Sequence, residues 1–186
     1  MVANCVLSPE TLPGAGAVLD FCAEHGLLVS FSPQAVNNWP RYELLVSGEY
    51  QALLADLIAR KRRGAPILGS SAYLRTLLDL RSFSCYPLLV ARVLPDGTLI
   101  YPCRPIERAD NGHGGRPCNL VEVGSWAKAL RVSAAEYGPP PRVCTSCFQQ
   151  CFVEPSLMQA KPHVLLFEWL RHRASWQGGL ATYAPG

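Results

Sequence analysis

Charge is scarce in this chain, and neither sign dominates. Only 17% of the 186 residues are charged, and 17 Lys and Arg stand against 14 Asp and Glu, a formal net charge of +3. A dedicated nucleic-acid binder usually carries a clear basic excess, so that class is disfavoured. A disordered chain needs low hydrophobicity and high net charge, and here 49% of the residues are hydrophobic. Long apolar runs are also missing. The longest resemble Val164-Leu165-Leu166-Phe167 and Leu27-Leu28-Val29, whereas a membrane-spanning helix needs about 20 residues. The first residues, Met1-Val2-Ala3-Asn4-Cys5-Val6-Leu7-Ser8, contain no basic n-region, no apolar stretch of signal-peptide length and no A-x-A site. These absences predict a cytoplasmic protein with no membrane span and no nucleic-acid partner. There is no internal repeat, Ser-His-Asp arrangement, phosphate loop or HExxH motif.

What is present is cysteine, unevenly placed. Of eight cysteines, six fall between Cys85 and Cys151 and none follows. In a reducing compartment such clustering favours metal binding or catalysis over disulfides. Cys144-Thr145-Ser146-Cys147 is a Cys-x2-Cys knuckle, and Cys151 follows after three more residues. Two thiolates on so tight a turn can face one metal. A full site needs a second pair. Residues 88–94 and 98–101 read as a β-hairpin around Pro95-Asp96-Gly97, since Asp-Gly is a favoured turn pair. Cys85 lies just before that hairpin and Cys103 at its end, where Pro102 stiffens the approach, so folding brings the two together. The expected ligand set is therefore Cys85, Cys103, Cys144 and Cys147, with Cys151 and Cys118 in reserve. Cys5 and Cys22 lie on apolar faces and read as packing. His113 sits in a Gly-rich loop, and His25, His163 and His172 read as helix-end or surface residues.

The first 81 residues alternate strand and helix signals. Residues 2–7 and 27–31 are apolar runs of strand length, the first read as buried on both faces. Between them Ala17, Val18, Phe21, Cys22 and Leu27 recur near helical spacing, with Gly26 at a C-cap position. Residues 32–40, broken by two prolines, read as a loop. A stronger helix covers roughly 48–63, with Tyr50, Leu53, Leu54, Leu57 and Ile58 as its apolar stripe, Ser47 as cap and a solvated basic end at Arg60-Lys61-Arg62-Arg63. Residues 65–69 read as a short strand and 70–80 as a helix with Tyr73, Leu74, Leu77 and Leu78 inward. Alternation at this interval predicts a parallel α/β sheet. Later, Ser125 to Leu130 opens a short helix, Gly138-Pro139-Pro140-Pro141 stops it, and 162–173 reads as a last helix. The expected organisation is an α/β part over 1–81, a cysteine-bearing part over 82–160, and a C-terminal helix and tail over 161–186.

This combination resembles the C-terminal half of radical SAM enzymes: an α/β part, then Cys85-x17-Cys103 with an Asp-Gly turn between, then Cys144-x2-Cys147 about forty residues on. The first part is similar to the later βα units of their partial barrel, and the second to their twitch or SPASM auxiliary-cluster domain. The run Cys144 to Pro155 also resembles the C-terminal Cys-x2-Cys-x3-Cys segment of hopanoid-pathway adenosyl transferases. The likeness covers essentially the whole chain. It implies a partial parallel βα barrel of about three units, followed by a small α+β cysteine-rich domain. It also implies an auxiliary 4Fe–4S cluster on Cys85, Cys103, Cys144 and Cys147, used for electron transfer or structure. S-adenosyl-L-methionine would serve only the full-length parent, whose missing N-terminal half or separate subunit, with a flavodoxin or ferredoxin as reductant, would be the partners. Ser30 and Gln34 near the end of the second strand and Ser70 after the third are the residues implied for a SAM or substrate pocket.

The chain departs from the family in three ways. Gly97 to Cys103 is Gly-x5-Cys where the family has Gly-x4-Cys, no cysteine follows Cys151, and the Cys-x3-Cys-x2-Cys triad that binds the SAM cluster is absent. Cys144, Cys147 and Cys151 have the reverse order of spacings. The expectation is a segment cut through its barrel, exposing an unpaired strand edge around residues 2–7. The rival expectations are a non-enzymatic, zinc-stabilised binding module and a cluster-bearing subunit of a split enzyme.

Overall fold

A computed structural model describes residues 1–36, 39–80, 82–103, 118–140, 142–144, 147–163, 166–167 and 170. Strand β1 (Val2–Leu7) is joined by helix α1 (Ala15–Glu24) to strand β2 (Leu28–Pro33). The strands pair in parallel, Val2 opposite Leu28 through Leu7 opposite Pro33. The third strand expected at 65–69 is reduced to one parallel bridge, Val29 to Ile67. Three short parallel stretches thus lie side by side with β2 central, and no closed barrel is seen among the described residues.

β1 is buried on one face only. Leu7 is fully buried and Ala3 and Cys5 are half-buried, while Val2 and Val6 on the opposite face are exposed. This differs from the expected two-sided burial. Nothing among the described residues packs on the second face, so the apolar run does not report its burial. α1 also turns further than its apolar spacing predicts. Ala15, Leu19 and Cys22 face the core, and Val18 and Phe21 are exposed. His25 ends the helix, stacked on Phe21 with ring centroids 4.1 Å apart.

Ala35–Val36 (β3) and Trp39–Pro40 (β4) form a small antiparallel pair inside the expected loop, followed by a helical turn, α2 (Tyr42–Leu45). Helix α3 (Gly48–Arg62) forms as expected. Ser47 accepts from the Tyr50 N–H, and Tyr50, Leu54, Leu57 and Ile58 are buried along one stripe. Each such aliphatic side chain stabilises the fold by roughly 1.5–3 kcal/mol. The basic end is only partly solvated: Lys61 is buried and its Nζ donates to the Ile67 carbonyl (2.9 Å), and Arg60 pairs with Asp20. Lys61 therefore ties α3 to the third parallel stretch. Helix α4 (Ser71–Asp79) is capped by Ser70, whose Oγ accepts from the Tyr73 N–H (2.9 Å).

Beyond residue 82, β5 (Phe83–Ser84) pairs antiparallel with β8 (Val143–Cys144), which lies far along the chain. Between them β6 (Arg92–Val93) and β7 (Leu99–Ile100) form the hairpin expected around Asp96-Gly97. It is shorter than expected, because residues 87–90 coil into a 3-10 turn. Gly97 has φ +89, which the turn requires, and Asp96 accepts from the Thr98 N–H. Helices α5 (Leu120–Val123) and α6 (Trp126–Tyr137), capped by Asn119 and Ser125, pack on this hairpin around Leu99, Tyr101, Cys118 and Ala129. Helix α7 (Gln150–Ala160) was not expected, since Pro155 in its interior removes a backbone donor and ordinarily ends a helix. Its buried Phe152, Val153 and Ser156 face inward.

The main core crosses the sequence boundary near residue 82. Leu7, Leu19, Phe31, Leu54 and Leu77 pack in one cluster with Phe83, Cys85, Cys144, Phe148 and Val153. The last helix expected over 162–173 and the tail fall largely outside the described residues. No helix among the described residues is long and apolar enough to cross a membrane.

Candidate thiol centre

The β5–β8 pairing makes the first half of the site. Phe83 lies opposite Cys144, and the Cys85 N–H donates to the Arg142 carbonyl (3.0 Å), which extends the ladder by one residue. Cys85 and Cys144 thereby sit on adjacent strands, both buried, with their thiols hydrogen-bonded to each other. That hydrogen bond, and then burial, push the Cys85 thiol well above its ordinary range, while Ser156 works weakly the other way. Ser156 is fully buried on α7 and its Oγ accepts from the Tyr86 N–H (2.9 Å), which fixes the chain just after Cys85.

The second half is built by the hairpin end and the start of α7. Cys103 follows the cis Tyr101–Pro102 bond. It packs in a small apolar cluster with Cys147 and Phe152, against Val90. Cys147 is 3% exposed. Burial, and then the neighbouring Cys144, push its thiol up to about 12, with smaller contributions from Cys103 and Cys151, and the Gln149 N–H opposes them. Cys147 is thus close enough to both Cys144 and Cys103 to feel their charge. Cys151 stands at the rim. It is exposed, its Sγ lies 3.9 Å from Arg92 Nη2 and from Gln149 Oε1, and the Arg92 guanidinium sits over the Phe152 ring at 5.3 Å.

The four thiols expected as ligands are thus all buried, Cys85 and Cys144 in the main core and Cys103 and Cys147 in a second small cluster. The expected meeting of Cys85 with Cys103 at the hairpin ends is replaced by Cys85 beside Cys144 and Cys103 beside Cys147. None of the eight cysteines is joined in a disulfide. Among the described residues no group of three or more His, Cys, Asp or Glu side chains is drawn together tightly enough to hold a metal ion. The donor set suits a thiophilic metal or cluster in type, and ligation requires the thiols to close in and lose their protons. Cys118 is buried elsewhere, against Leu99, Tyr101 and Ala129, with its carbonyl accepting from the Leu99 N–H (2.8 Å). Cys22 is fully packed in the main core, and Cys5 is half-buried near it, which raises the Cys5 thiol through burial first and Cys22 second. His113 lies outside the described residues.

The three residues implied for a SAM or substrate pocket all have structural partners. Ser30 Oγ donates to Asn4 Oδ1 (2.9 Å) across the parallel strands. Gln34 Oε1 accepts from Arg41 Nη1 (3.1 Å), and that same guanidinium is paired with Glu10 and Glu43. Ser70 is the cap of α4. None of the three lines the cleft of about 380 Å³ between α4 and α7, whose walls include Arg75, Thr76, Asp79, Leu157 and Lys161.

Sequence reasoning passed over Tyr73, Arg92, Glu154 and Ser156. Tyr73 was legible only as an inward residue of an apolar stripe, and Glu154 as part of the run that follows the knuckle. Compared with family models, curated proteins and solved structures, the chain has no match in any of the three.

Proposed function

We propose that this chain is the C-terminal portion of a radical SAM protein, located in the cytoplasm, in which Cys85, Cys103, Cys144 and Cys147 hold an auxiliary 4Fe–4S cluster. The observation that supports the reading is that Cys85 and Cys144 are buried together in the main core and Cys103 and Cys147 in a second small cluster, with Cys147 near enough to feel Cys144. When bound, such a cluster supplies one-electron transfer or a structural cross-link. The chain's own residues do the rest. The thiols are the donors, Phe148 and Phe152 exclude water from them, and Arg92 keeps a cation beside Cys151 at the rim. The half-open parallel sheet fits a partial barrel completed by an upstream half or a separate subunit. Parent chemistry on SAM would reside there, because the triad for its cluster is absent from this chain.

A second reading has its own support. The cysteine-bearing part relies on two small apolar clusters beyond the main core, and modules with little core of their own are often stabilised by a structural ion. Four thiolates suit zinc as well as iron. Anaerobic purification followed by metal and acid-labile sulfide analysis separates the readings. A brown protein with iron, sulfide and broad absorbance near 400 nm (an approximate expectation for thiolate-bound clusters) supports the cluster. A colourless protein with one zinc and no iron overturns it in favour of the binding module, and a reduced protein that takes up neither overturns both.

A further inference from the structure

The segment that follows Cys147 is held to the N-terminal end of α4 by two hydrogen bonds and one close approach. Tyr73, fully buried on α4, places its hydroxyl oxygen 3.2 Å from the Phe31 carbonyl of β2 and 3.2 Å from the Phe148 carbonyl, the residue after Cys147. A hydroxyl has one proton, so the two carbonyls share a single donor, and one oxygen pins the parallel sheet and the residue after Cys147 together. Burial raises the Tyr73 hydroxyl far above its ordinary value, so it stays a donor. At the start of the same helix the Ser70 N–H donates to Glu154 Oε1. A carboxylate is favoured there by the unsatisfied N–H groups and the positive end of the helix dipole. Gly69, at φ +100, lets the backbone come close to α7. A Cβ at that position would lie 2.9 Å from Gln150 Nε2 and 3.1 Å from Glu154 Oε1.

We propose that Tyr73 and Glu154 are positioning residues of the thiol centre: by fixing Phe148 and the first turns of α7 against β2 and α4, they set the approach of Cys147, so that the α/β half determines how the centre closes on its metal. The inference rests on the reading of Cys147 as a ligand, and its test separates the two. The reduced, metal-free full chain carrying Tyr73→Phe, Glu154→Gln or Tyr50→Phe is titrated with Co²⁺ alone and read by thiolate-to-cobalt charge-transfer absorption. The rate of Cys147 alkylation by N-ethylmaleimide is measured separately, without metal, by mass spectrometry. Tyr50→Phe is the control, because its equally buried hydroxyl donates to the Leu77 carbonyl (3.1 Å), a bond that holds neither Phe148 nor Glu154. Loss of one buried hydrogen bond should weaken Co²⁺ binding and speed Cys147 alkylation by about tenfold in Tyr73→Phe. Glu154→Gln should shift both the same way, and Tyr50→Phe should shift neither. If Tyr73→Phe does not fold, Glu154→Gln decides. Co²⁺ affinity and alkylation equal to the control in both test variants overturns the proposal. A wild-type chain without any charge-transfer band overturns the ligand reading instead, and the alkylation rates alone then decide whether the turn is positioned.

Discussion

Raising the pH by one unit near neutrality should strengthen zinc binding by roughly a hundredfold, counting two protons at a factor of about ten each. The two protons come from the structure. Cys147 titrates at about 12 because it is buried beside Cys144. Cys85 is raised as well, by its hydrogen bond to Cys144 and then by burial. Both thiols hold their protons through the neutral range, and each must release one to become a ligand. Each proton contributes about 1.4 kcal/mol per pH unit, so two contribute about 2.7 kcal/mol. The sign follows directly: the free chain binds more protons than the loaded one, so affinity rises with pH. Any proton given up by Cys103 or Cys144 steepens the dependence. The assay is anaerobic competition for zinc against a chromophoric chelator at several pH values, corrected for the chelator's own protonation. Cys147→Ser should remove one decade per pH unit from the slope. A slope below one decade in the wild-type chain would falsify the assignment of both thiols as ligands, and a slope unmoved by Cys147→Ser would remove that residue from the set.

Two substitutions test the surroundings. Gly69→Ala places a Cβ at φ +100 against Gln150 and Glu154. It should cost about 1–3 kcal/mol, seen as a lower urea midpoint, with faster Cys147 alkylation, whereas an unchanged midpoint would mean the close approach is not made in solution. Cys118→Ala should cost about 1 kcal/mol through lost packing against Leu99 and Tyr101 and leave the metal stoichiometry unchanged. Loss of bound metal in that variant would move Cys118 into the ligand set.

The parts of the fold written in short-range signals were readable from the sequence. α3 carries its cap at Ser47 and its stripe at helical spacing, and α4 carries Ser70 and three buried positions in register. The hairpin carries Asp96-Gly97, whose turn needs a positive φ. The hairpin and the knuckle are local devices, but the thiol neighbours that form are long-range, Cys85 beside Cys144 and Cys103 beside Cys147, and neither pair is legible in spacing. What was missed depends on distant partners. α7 survives Pro155 because Phe152, Val153 and Ser156 are buried, so tertiary packing offsets a local penalty that the sequence shows plainly. Lys61 belongs to a basic run that reads as solvated, yet its ammonium finds a carbonyl six residues on that only the folded loop presents. β1 misled in the opposite direction: its apolar residues alternate too little to reveal which face is covered.

The boundary near residue 82 shows how composition and packing diverge. Cysteine content and turn chemistry change there, and this suggests two separable parts. The core does not divide at that point. Phe83 packs tilted against Phe148 with ring centroids 5.9 Å apart, and both belong to the cluster that holds Leu7, Phe31 and Leu77. Cys85 and Cys144 are therefore residues of the α/β core as much as of the thiol centre. The hydrogen bond to Cys144 and then burial keep Cys85 protonated, and burial first of all does the same for Cys147. The packing that unites the two parts thus makes proton release the cost of loading the centre. On the proposed reading, loosening the chain at α4 should change the thiol chemistry, and loading the centre should in turn stabilise the α/β half, since a metal that binds only the folded chain stabilises every element packed against its ligands.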